Sequence, residues 1–306
     1  MLIVANCEGI YGIKTARTIL QNNGSALDAI EKGIVAVEEN ENALTVGKGG
    51  APNLLGQMEC DASIMDGRAL QTGSVGALRG YPSAIRVARK VMERLPHVFL
   101  AGDGAARFAQ EIGEPKTDIL TQNAKAKYDN WIQKYVDTSD KEKWPDIPLD
   151  KYSWQSGKQE IARGTTVFLA IDSDSNIACG TSTSGWAYCY PGRLGDSPVI
   201  GAGLYADNRY GACACTHTGE MTIRTCTAHS VVTAIKYGAS VEHACREAIE
   251  DLRRLREGYL GPVVIHAIDK KGNVCVCSTE KLIEDNFYVQ WNSEDNEIQQ
   301  KEPVVF

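Results

Sequence analysis

The chain has 306 residues, 43% of them hydrophobic, and a formal net charge of −7 at pH 7. This length allows a large buried core in one or two domains. The acidic balance argues against nucleic acid or an anionic membrane as the main partner. No apolar stretch reaches 18 residues, and the short apolar run at residues 1–6 favours a first strand over a signal peptide. We therefore expect a cytoplasmic protein.

The first half of the chain predicts mostly helices. Helical periodicity covers residues 26–40, 83–95 and 104–112, and Pro82 suits the start of the second helix. The stretch from 113 to 163 is more polar. It predicts one helix at about 125–136, followed by an irregular, mobile tail over about residues 137–164.

The next predicted strand begins at Thr165, whose hydroxyl would become an activated nucleophile if the peptide bond before it were cut. Thr165 follows Gly164 and opens an apolar run to Asp172, which is typical of a buried strand. A threonine hydroxyl is a weak nucleophile and needs a base. A cut before Thr165 would free an α-amine with a pKa of ~7.7–8.0, suited to take the proton of the hydroxyl. The alternative is an ordinary strand threonine.

The following segment predicts a hairpin. Turn-forming residues at 173–176 precede a second strand-like run at 177–185. If Asp172 faces Ile177, Thr165 lies opposite Ser184 and one step from Thr183. Thr183 would then orient or polarise the hydroxyl of Thr165, unless the run is simply a threonine-rich strand.

Residues 191–198 form a loop rich in glycine and proline, with Arg193 and Asp196 three positions apart. A guanidinium and a carboxylate can hold the α-carboxylate and α-ammonium of a free amino acid. The alternative is an ion pair within the loop.

Residues 201–206 match the G-x-G-x-x-A form of a dinucleotide-binding fingerprint. We reject it, because a loop with Pro198 precedes it and a turn-rich segment, not a helix, follows. Small residues at 211–216 then predict a strand that leads into His217, whose turn could direct amide groups at an oxyanion. Residues 220–224 predict a further strand.

The end of the chain predicts a helix at 241–255 and a hairpin of strands 262–269 and 273–278. Strands and helices in blocks favour a layered α+β fold over a doubly wound sheet. Among ten cysteines, no C-x-x-C spacing occurs, which favours buried, reduced thiols over a zinc site.

Several segments together carry a resemblance to one family. In order, they resemble the threonine-nucleophile asparaginase family of N-terminal nucleophile hydrolases, which includes glycosylasparaginases and plant-type L-asparaginases/isoaspartyl peptidases. The segments are residues 25–30, 46–53, 60–67, 164–165, 180–183, 192–198 and 201–207.

The resemblance implies a four-layer αββα sandwich made of one domain over residues 1–306. It also implies self-cleavage between Gly164 and Thr165, which gives an α chain of 1–164 and a β chain of 165–306. Relatives of this kind form homodimers of αβ units and bind small asparagine or aspartyl substrates. We expect no cofactor and no metal site.

The resemblance also assigns roles to residues of this chain. Thr165 would be the nucleophile and Thr183 its hydroxyl neighbour. Arg193 would bind the substrate α-carboxylate and Asp196 its α-amino group. The hydroxyl of Thr216 and the amide of the next residue would form the oxyanion hole. The substrate-binding set is completed by His217 and Gly219, the latter through its backbone.

Three departures from the family pattern concern the leaving group. His217 stands where the family usually has glycine, and Gly164 stands where eukaryotic-type glycosylasparaginases usually have aspartate. Residues 4–8 lack the tryptophan that the N-terminal strand of glycosylasparaginases usually carries. Residues 46–52, in contrast, are closer to the glycosylasparaginase version. We expect an N4-(β-N-acetylglucosaminyl)-L-asparaginase-like amidohydrolase. The alternatives are an L-asparaginase/isoaspartyl peptidase and an uncleaved, non-catalytic amino-acid-binding protein.

Overall fold

The structure is a computed structural model that describes residues 1–157, 164–282, 286–295 and 297–306. The strands are β1 (Leu2–Asn6), β2 (Cys60–Asp66), β3 (Gln71–Leu78), β4 (Phe99–Ala101), β5 (Thr166–Ile171), β6 (Ile177–Thr183), β7 (Leu204–Asp207), β8 (Gly211–His217), β9 (Val263–Asp269), β10 (Val274–Ser278), β11 (Tyr288–Asn292), β12 (Gln299–Lys301) and β13 (Val304–Val305). The helices are α1 (Ile13–Gln21), α2 (Ala26–Glu38), α3 (Ala84–Arg94), α4 (Gly102–Glu111), α5 (Gln122–Tyr135), α6 (Thr138–Lys141), α7 (Asp150–Gly157), α8 (Gly219–Thr225), α9 (Thr227–Lys236) and α10 (Val241–Arg253).

These elements form two stacked sheets between two layers of helices. The larger sheet has the order β12-β11-β1-β5-β6-β2-β3-β4, and the smaller one β13-β10-β9-β8-β7. One apolar cluster lies between α1–α4 and the larger sheet, a second between the sheets, and a third between the smaller sheet and α8–α10. This confirms the predicted α+β class and its αββα layers. Within the described ranges, every helix is too short or too polar to cross a membrane.

Most of the long elements follow the sequence pattern. The helices predicted at 26–40, 83–95, 104–112, 125–136 and 241–255 correspond to α2, α3, α4, α5 and α10, and the predicted terminal hairpin to β9 and β10. Strong periodicity in these segments matches a single buried face. In the described part of the chain the cysteines form no disulfide, and all except Cys226 are buried.

The hairpin of β5 and β6 has a register one residue away from the predicted one. Ile171, not Asp172, lies opposite Ile177. Asp172 belongs to the turn instead, because its Oδ1 accepts hydrogen bonds from the backbone N–H groups of Asp174 and Asn176 at 3.0 and 2.9 Å. The corrected ladder continues with Thr183, rather than Ser184, opposite Thr165.

Residues 220–224 form part of helix α8, so the predicted strand is wrong. The β-branched residues Thr222 and Ile223 favour a strand only where a sheet edge can receive it. The preceding strand β8 is already paired on both sides, with β7 and β9. The chain therefore turns away from the sheet and forms a helix.

The predicted irregular tail is also partly wrong. Residues 138–141 and 150–157 form α6 and α7. The second of these helices buries Tyr152, whose hydroxyl donates to Asp140 at 2.7 Å. Tyr152 joins an apolar cluster with Trp131 of α5 and Tyr188. The remainder of the predicted tail, 158–163, lies outside the described residues.

The close approach of β3 and α3 gives a test of the packing. A Cβ at Gly73 would overlap the carbonyl oxygen of Ala88 and lie 2.7 Å from the backbone nitrogen of Met92. Because backbone cannot move aside as a side chain can, we expect Gly73→Ala to lower the free energy of unfolding by about 2–3 kcal/mol. Urea unfolding followed by circular dichroism measures this change.

Gly104→Ala is the matched control. Gly104 lies in α4, and nothing stands within 4 Å of an added Cβ. Alanine should raise the free energy of unfolding here by up to ~1 kcal/mol, because glycine is a poor helix former. Equal effects of the two substitutions would contradict the packing at Gly73.

Candidate active site

Thr165 lies directly before β5 at the end of the hairpin ladder, and only 4% of its surface is exposed. Its Oγ1 is 3.2 Å from Oγ of Ser197. The hydroxyl of Thr183 donates instead to the carbonyl oxygen of Gly164, at 2.8 Å. The sequence predicts Thr183 one step from Thr165, with Ser184 opposite; in the structure the Thr183 hydroxyl lies at the carbonyl of the residue before Thr165. This hydroxyl therefore acts on the peptide bond before Thr165 and not on the Thr165 hydroxyl.

The Gly164–Thr165 bond is held closely on its other side as well. A Cβ at Gly164 would lie 2.7 Å from Oγ1 of Thr45. The side chain of Thr45 is itself fixed, because its Oγ1 donates to Oε2 of Glu8 at 2.6 Å. Ser184 donates its backbone N–H to the carbonyl of Thr45 at 2.8 Å, which ties this loop to the end of β6. A side chain at position 164 would therefore displace Thr45.

Ser197 is a site residue that sequence reasoning did not single out. It is 1% exposed, and its carbonyl oxygen accepts hydrogen bonds from Oγ1 of Thr181 at 2.8 Å and from Oγ of Ser63. These bonds fix the end of the 191–198 loop to the larger sheet, so that the Ser197 hydroxyl reaches Thr165. Its position directly after Asp196 is the only sequence signal for this role.

Arg193 is paired, but not with Asp196. Its Nε and Nη2 donate to the carboxylate of Glu220 at 2.8–3.0 Å, and its guanidinium lies 4.5 Å from the ring centroid of Trp186. The alternative of an ion pair within the loop is therefore wrong. Within the described residues Nη1 donates no hydrogen bond, so this end of the guanidinium keeps its N–H donors for a further carboxylate.

Asp196 is buried beside the start of α8. Its Oδ2 accepts a hydrogen bond from Oγ1 of Thr222 at 2.7 Å. Burial raises the pKa of Asp196 to about 6, against the opposing effects of the Thr222 hydrogen bond and the charge of Arg193. Gly219 is the close neighbour on α8, since a Cβ there would lie 2.7 Å from Oδ1 of Asp196.

Asp61 of β2 supports the same loop and was also missed. Its Oδ1 accepts the backbone N–H of Ala77 at 2.8 Å, and its Oδ2 accepts that of Gly195 at 3.5 Å. Burial raises the pKa of Asp61 to about 6 as well. Because Gly195 lies between Arg193 and Asp196, this carboxylate positions both.

Thr216 is the second-last residue of β8 and faces the same cavity as Thr165. Its Oγ1 lies 2.9 Å from Nδ1 of His217, whose φ is +81°. A left-handed backbone costs a residue with a Cβ about 1–2 kcal/mol, which glycine would not pay. His266 lines this cavity too, and burial lowers its pKa to about 3, so its imidazole is neutral. The cavity volume is ≈10 Å³, room for about one water molecule.

The structure thus brings the sequence-predicted residues other than Thr183, which lies at the Gly164 carbonyl, into two adjoining groups. Gly164, Thr165, Thr216 and His217 surround the cavity. The other group consists of Arg193, Asp196 and Gly219 around the 191–198 loop. The contact between Thr165 and Ser197 joins the two groups. The arrangement offers a hydroxyl nucleophile next to a free cationic edge and a buried carboxylate.

The rejected fingerprint at 201–206 has a structural explanation. Its last three residues already belong to β7, and the chain then continues into β8 rather than into a helix, as expected. A Cβ at Gly203 would overlap the carbonyl oxygen of Asp196. Gly203 therefore allows the Asp196 loop to lie directly against β7.

Comparison with known proteins is consistent with this geometry. A family model described as asparaginase matches residues 7–296. An N(4)-(β-N-acetylglucosaminyl)-L-asparaginase of Elizabethkingia miricola is 34% identical over 276 residues, 88% of this chain and 76% of the relative. An isoaspartyl peptidase/L-asparaginase of Danio rerio is 34% identical over 84% of this chain and 80% of its own. A plant-type L-asparaginase of Pyrococcus furiosus is 36% identical, over 82% and 79%.

Proposed function

Because the chain belongs to the asparaginase family, as the match over residues 7–296 shows, we propose that it is a self-cleaving threonine amidohydrolase. It would cut its own Gly164–Thr165 bond and then hydrolyse the side-chain β-amide of a free asparagine unit. The observation that carries this proposal is the hydrogen bond from Thr183 to the Gly164 carbonyl, beside the buried hydroxyl of Thr165.

Self-cleavage proceeds by transfer of the Gly164 acyl group from nitrogen to oxygen. Oγ1 of Thr165 attacks the Gly164 carbonyl carbon, and the negative charge that develops on its oxygen is stabilised by the Thr183 hydroxyl at 2.8 Å. The C–N bond then breaks as the nitrogen receives the proton that the Thr165 hydroxyl loses, which leaves an ester on Thr165 and a free α-amine. Water hydrolyses the ester to release Gly164 as a carboxylate. The products are the α chain, 1–164, and the β chain, 165–306.

The substrate needs the room that this cut provides. In the uncut chain the cavity beside Thr165 holds about one water molecule, far less than an amino acid requires. Gly164 lines that cavity, so departure of the new chain end enlarges it. This supports the departure of Gly164, as the new end of the α chain, from the site after cleavage.

The second group of residues would hold the two charges of the substrate. Nη1 of Arg193 takes the α-carboxylate, while Glu220 and Trp186 keep the guanidinium in place. Asp196 takes the α-ammonium in a buried position where the ion pair is strong. Backbone atoms of Gly219 lie close enough to Asp196 to contact the same group. Both charges must be free, which excludes asparagine within a polypeptide.

Turnover repeats the acyl transfer on the substrate. The α-amine of Thr165 takes the proton of its own hydroxyl, and Oγ1 attacks the side-chain carbonyl carbon. The hydroxyl of Thr216 and the amide of His217 hold the oxyanion. The C–N bond breaks as the departing nitrogen receives the proton. A water molecule then hydrolyses the β-aspartyl ester and restores Thr165.

We further propose a homodimer of αβ units that acts in the cytoplasm, without nucleic acid or membrane partners. The acidic net charge of −7 and the buried thiols support this assignment. Light scattering should give about twice 33.3 kDa for the cleaved protein.

The cleavage test uses Thr165→Ala and Thr183→Ala. Wild-type protein should separate into two fragments, the second beginning at Thr165, and Thr165→Ala should remain whole because the nucleophile is absent. Thr183→Ala should cut about 100–1000-fold more slowly, the usual effect of losing one oxyanion donor. Intact mass and N-terminal sequencing over a time course measure this.

Thr72→Ala is the matched control, since the Thr72 hydroxyl also donates to a strand carbonyl, that of Ile64 at 2.9 Å, but far from the cut. It should cleave at the wild-type rate. A wild-type chain that stays whole on incubation would contradict the mechanism and favour the non-catalytic binding protein.

His217 provides a test of the leaving group. We expect a higher kcat/KM for N4-(β-N-acetylglucosaminyl)-asparagine than for asparagine or a β-aspartyl dipeptide. His217→Gly keeps the amide donor but removes a side chain that lines the cavity. The ratio of kcat/KM for the glycosylated substrate to that for asparagine should rise about tenfold, equivalent to about 1.4 kcal/mol. A ratio that does not change would show that His217 does not limit the leaving group.

The raised pKa of Asp196 predicts a loss of kcat/KM at acidic pH. Because its pKa is raised to about 6, it becomes protonated below that pH and no longer attracts the α-ammonium. Protonation of the Thr165 α-amine, whose ordinary pKa is ~7.7–8.0, already lowers kcat/KM about tenfold per pH unit. Loss of the Asp196 carboxylate should therefore add a second, steeper acid limb below about pH 6, where kcat/KM falls about a hundredfold per pH unit. Thr222→Ala removes a hydrogen bond that lowers this pKa, so the limb should move to higher pH.

The pKa of Asp61 is also raised to about 6, so the Thr222→Ala variant is needed to show which of the two carboxylates causes the fall in kcat/KM below pH 6. Thr225→Ala on the same helix is the control, because its hydroxyl donates to the carbonyl of Met221 at 3.1 Å. An acid limb that coincides in Thr222→Ala and wild type would exclude Asp196 as the titrating group.

A further inference from the structure

Five cysteines lie together on the outer face of the smaller sheet, away from Thr165. β8 contributes Cys213 and Cys215, β10 contributes Cys275 and Cys277, and α10 contributes Cys245. The residues of each strand pair are two positions apart and so point to the same face. Sequence spacing alone does not indicate a site here, because these residues are spread over more than 60 positions without a metal-binding pattern.

Three of these thiols are close enough to bind one ion. The Sγ atoms of Cys245, Cys275 and Cys277 all lie within 4.8 Å of one another. Three sulfurs bound to one metal ion at about 2.3 Å are about 4 Å apart. Small rotations of the three side chains would therefore complete the coordination. All three residues are buried.

We propose that Cys245, Cys275 and Cys277 form a trigonal thiolate site for monovalent copper. Thiolates are soft ligands that select Cu(I) and Zn²⁺ over harder ions. Structural zinc sites require four ligands. In the described part of the chain no histidine nitrogen or carboxylate oxygen joins the three sulfurs, which favours the ion that is satisfied by three.

The surroundings supply a counter-charge and a way in. Arg246 follows Cys245 on α10 and places a positive charge next to the cluster, and its guanidinium lies 4.0 Å from the ring centroid of Phe306. β13 covers the outer edge of β10, with Val304 opposite Cys277, and it is itself exposed. An ion would enter by displacing this C-terminal strand. Each thiol that binds as a thiolate releases one proton.

The test is an anaerobic titration of the reduced, full-length protein with Cu(I) in the presence of bathocuproine disulfonate as a competing chelator. Wild type should retain one Cu(I) per chain. Cys275→Ala and Cys277→Ala should each weaken binding on the order of 10–100-fold or more. Cys179→Ala, a buried thiol between the sheets, and Cys226→Ala, the exposed thiol, should bind as wild type does.

X-ray absorption of the copper-loaded wild type keeps the test independent of variant folding. A shell of three sulfurs at about 2.3 Å supports the site. A shell with nitrogen, or with two sulfurs, overturns it. The proposal also fails if wild type yields all its copper to the chelator, if the Cys275 and Cys277 variants retain it equally, or if thiol trapping finds two of the three cysteines in a disulfide. None of these outcomes depends on the hydrolase activity.

Discussion

The pairing of β5 with β6 is the constraint on which the site depends. Both strands are buried from end to end in the middle of the larger sheet, so their register is fixed by packing on two faces. In this register Thr183 reaches the Gly164 carbonyl, while its neighbour Ser182 points to the opposite face and donates to Glu38 of α2 at 2.7 Å. A slip of one residue would turn Thr183 to the opposite face and bring a serine, Ser182 or Ser184, to its place beside the Gly164–Thr165 bond.

The second constraint is the amount of charge that the site keeps away from water. Arg193 is paired with Glu220 through Nε and Nη2, whereas Asp61 and Asp196 are buried carboxyls whose pKa is raised to about 6 by desolvation. Between about pH 4 and 6 the folded protein therefore binds more protons than the unfolded chain, and these two groups lower stability as the pH rises through this window. A ligand with an ammonium group offsets this cost at Asp196. The free site is thus less stable than the occupied one, which is the condition for tight binding of a small zwitterion.

The sequence was sufficient for what is encoded locally. Periodicity identified the long helices, and turn residues identified the hairpins, because each of these features is determined within a few positions. The register of β5 and β6 was missed by one residue, since it depends on the Asp172 turn. Helix α8 was missed because the edges of β8 are occupied by other strands. The partners of the Arg193 loop were missed for the same kind of reason: Glu220 is 27 positions away and Asp61 is 134 from Gly195.

The smaller sheet separates two kinds of chemistry by its alternation alone. Along β8 and β9, Thr216 and His266 face the larger sheet and the cavity of Thr165. The thiols of β8 and β10 face α10. The two-residue period of the strands therefore keeps the thiols of β8 and β10 on the side of α10, and it lets the same sheet contribute to the Thr165 cavity on one side and to a cluster of sulfur ligands on the other.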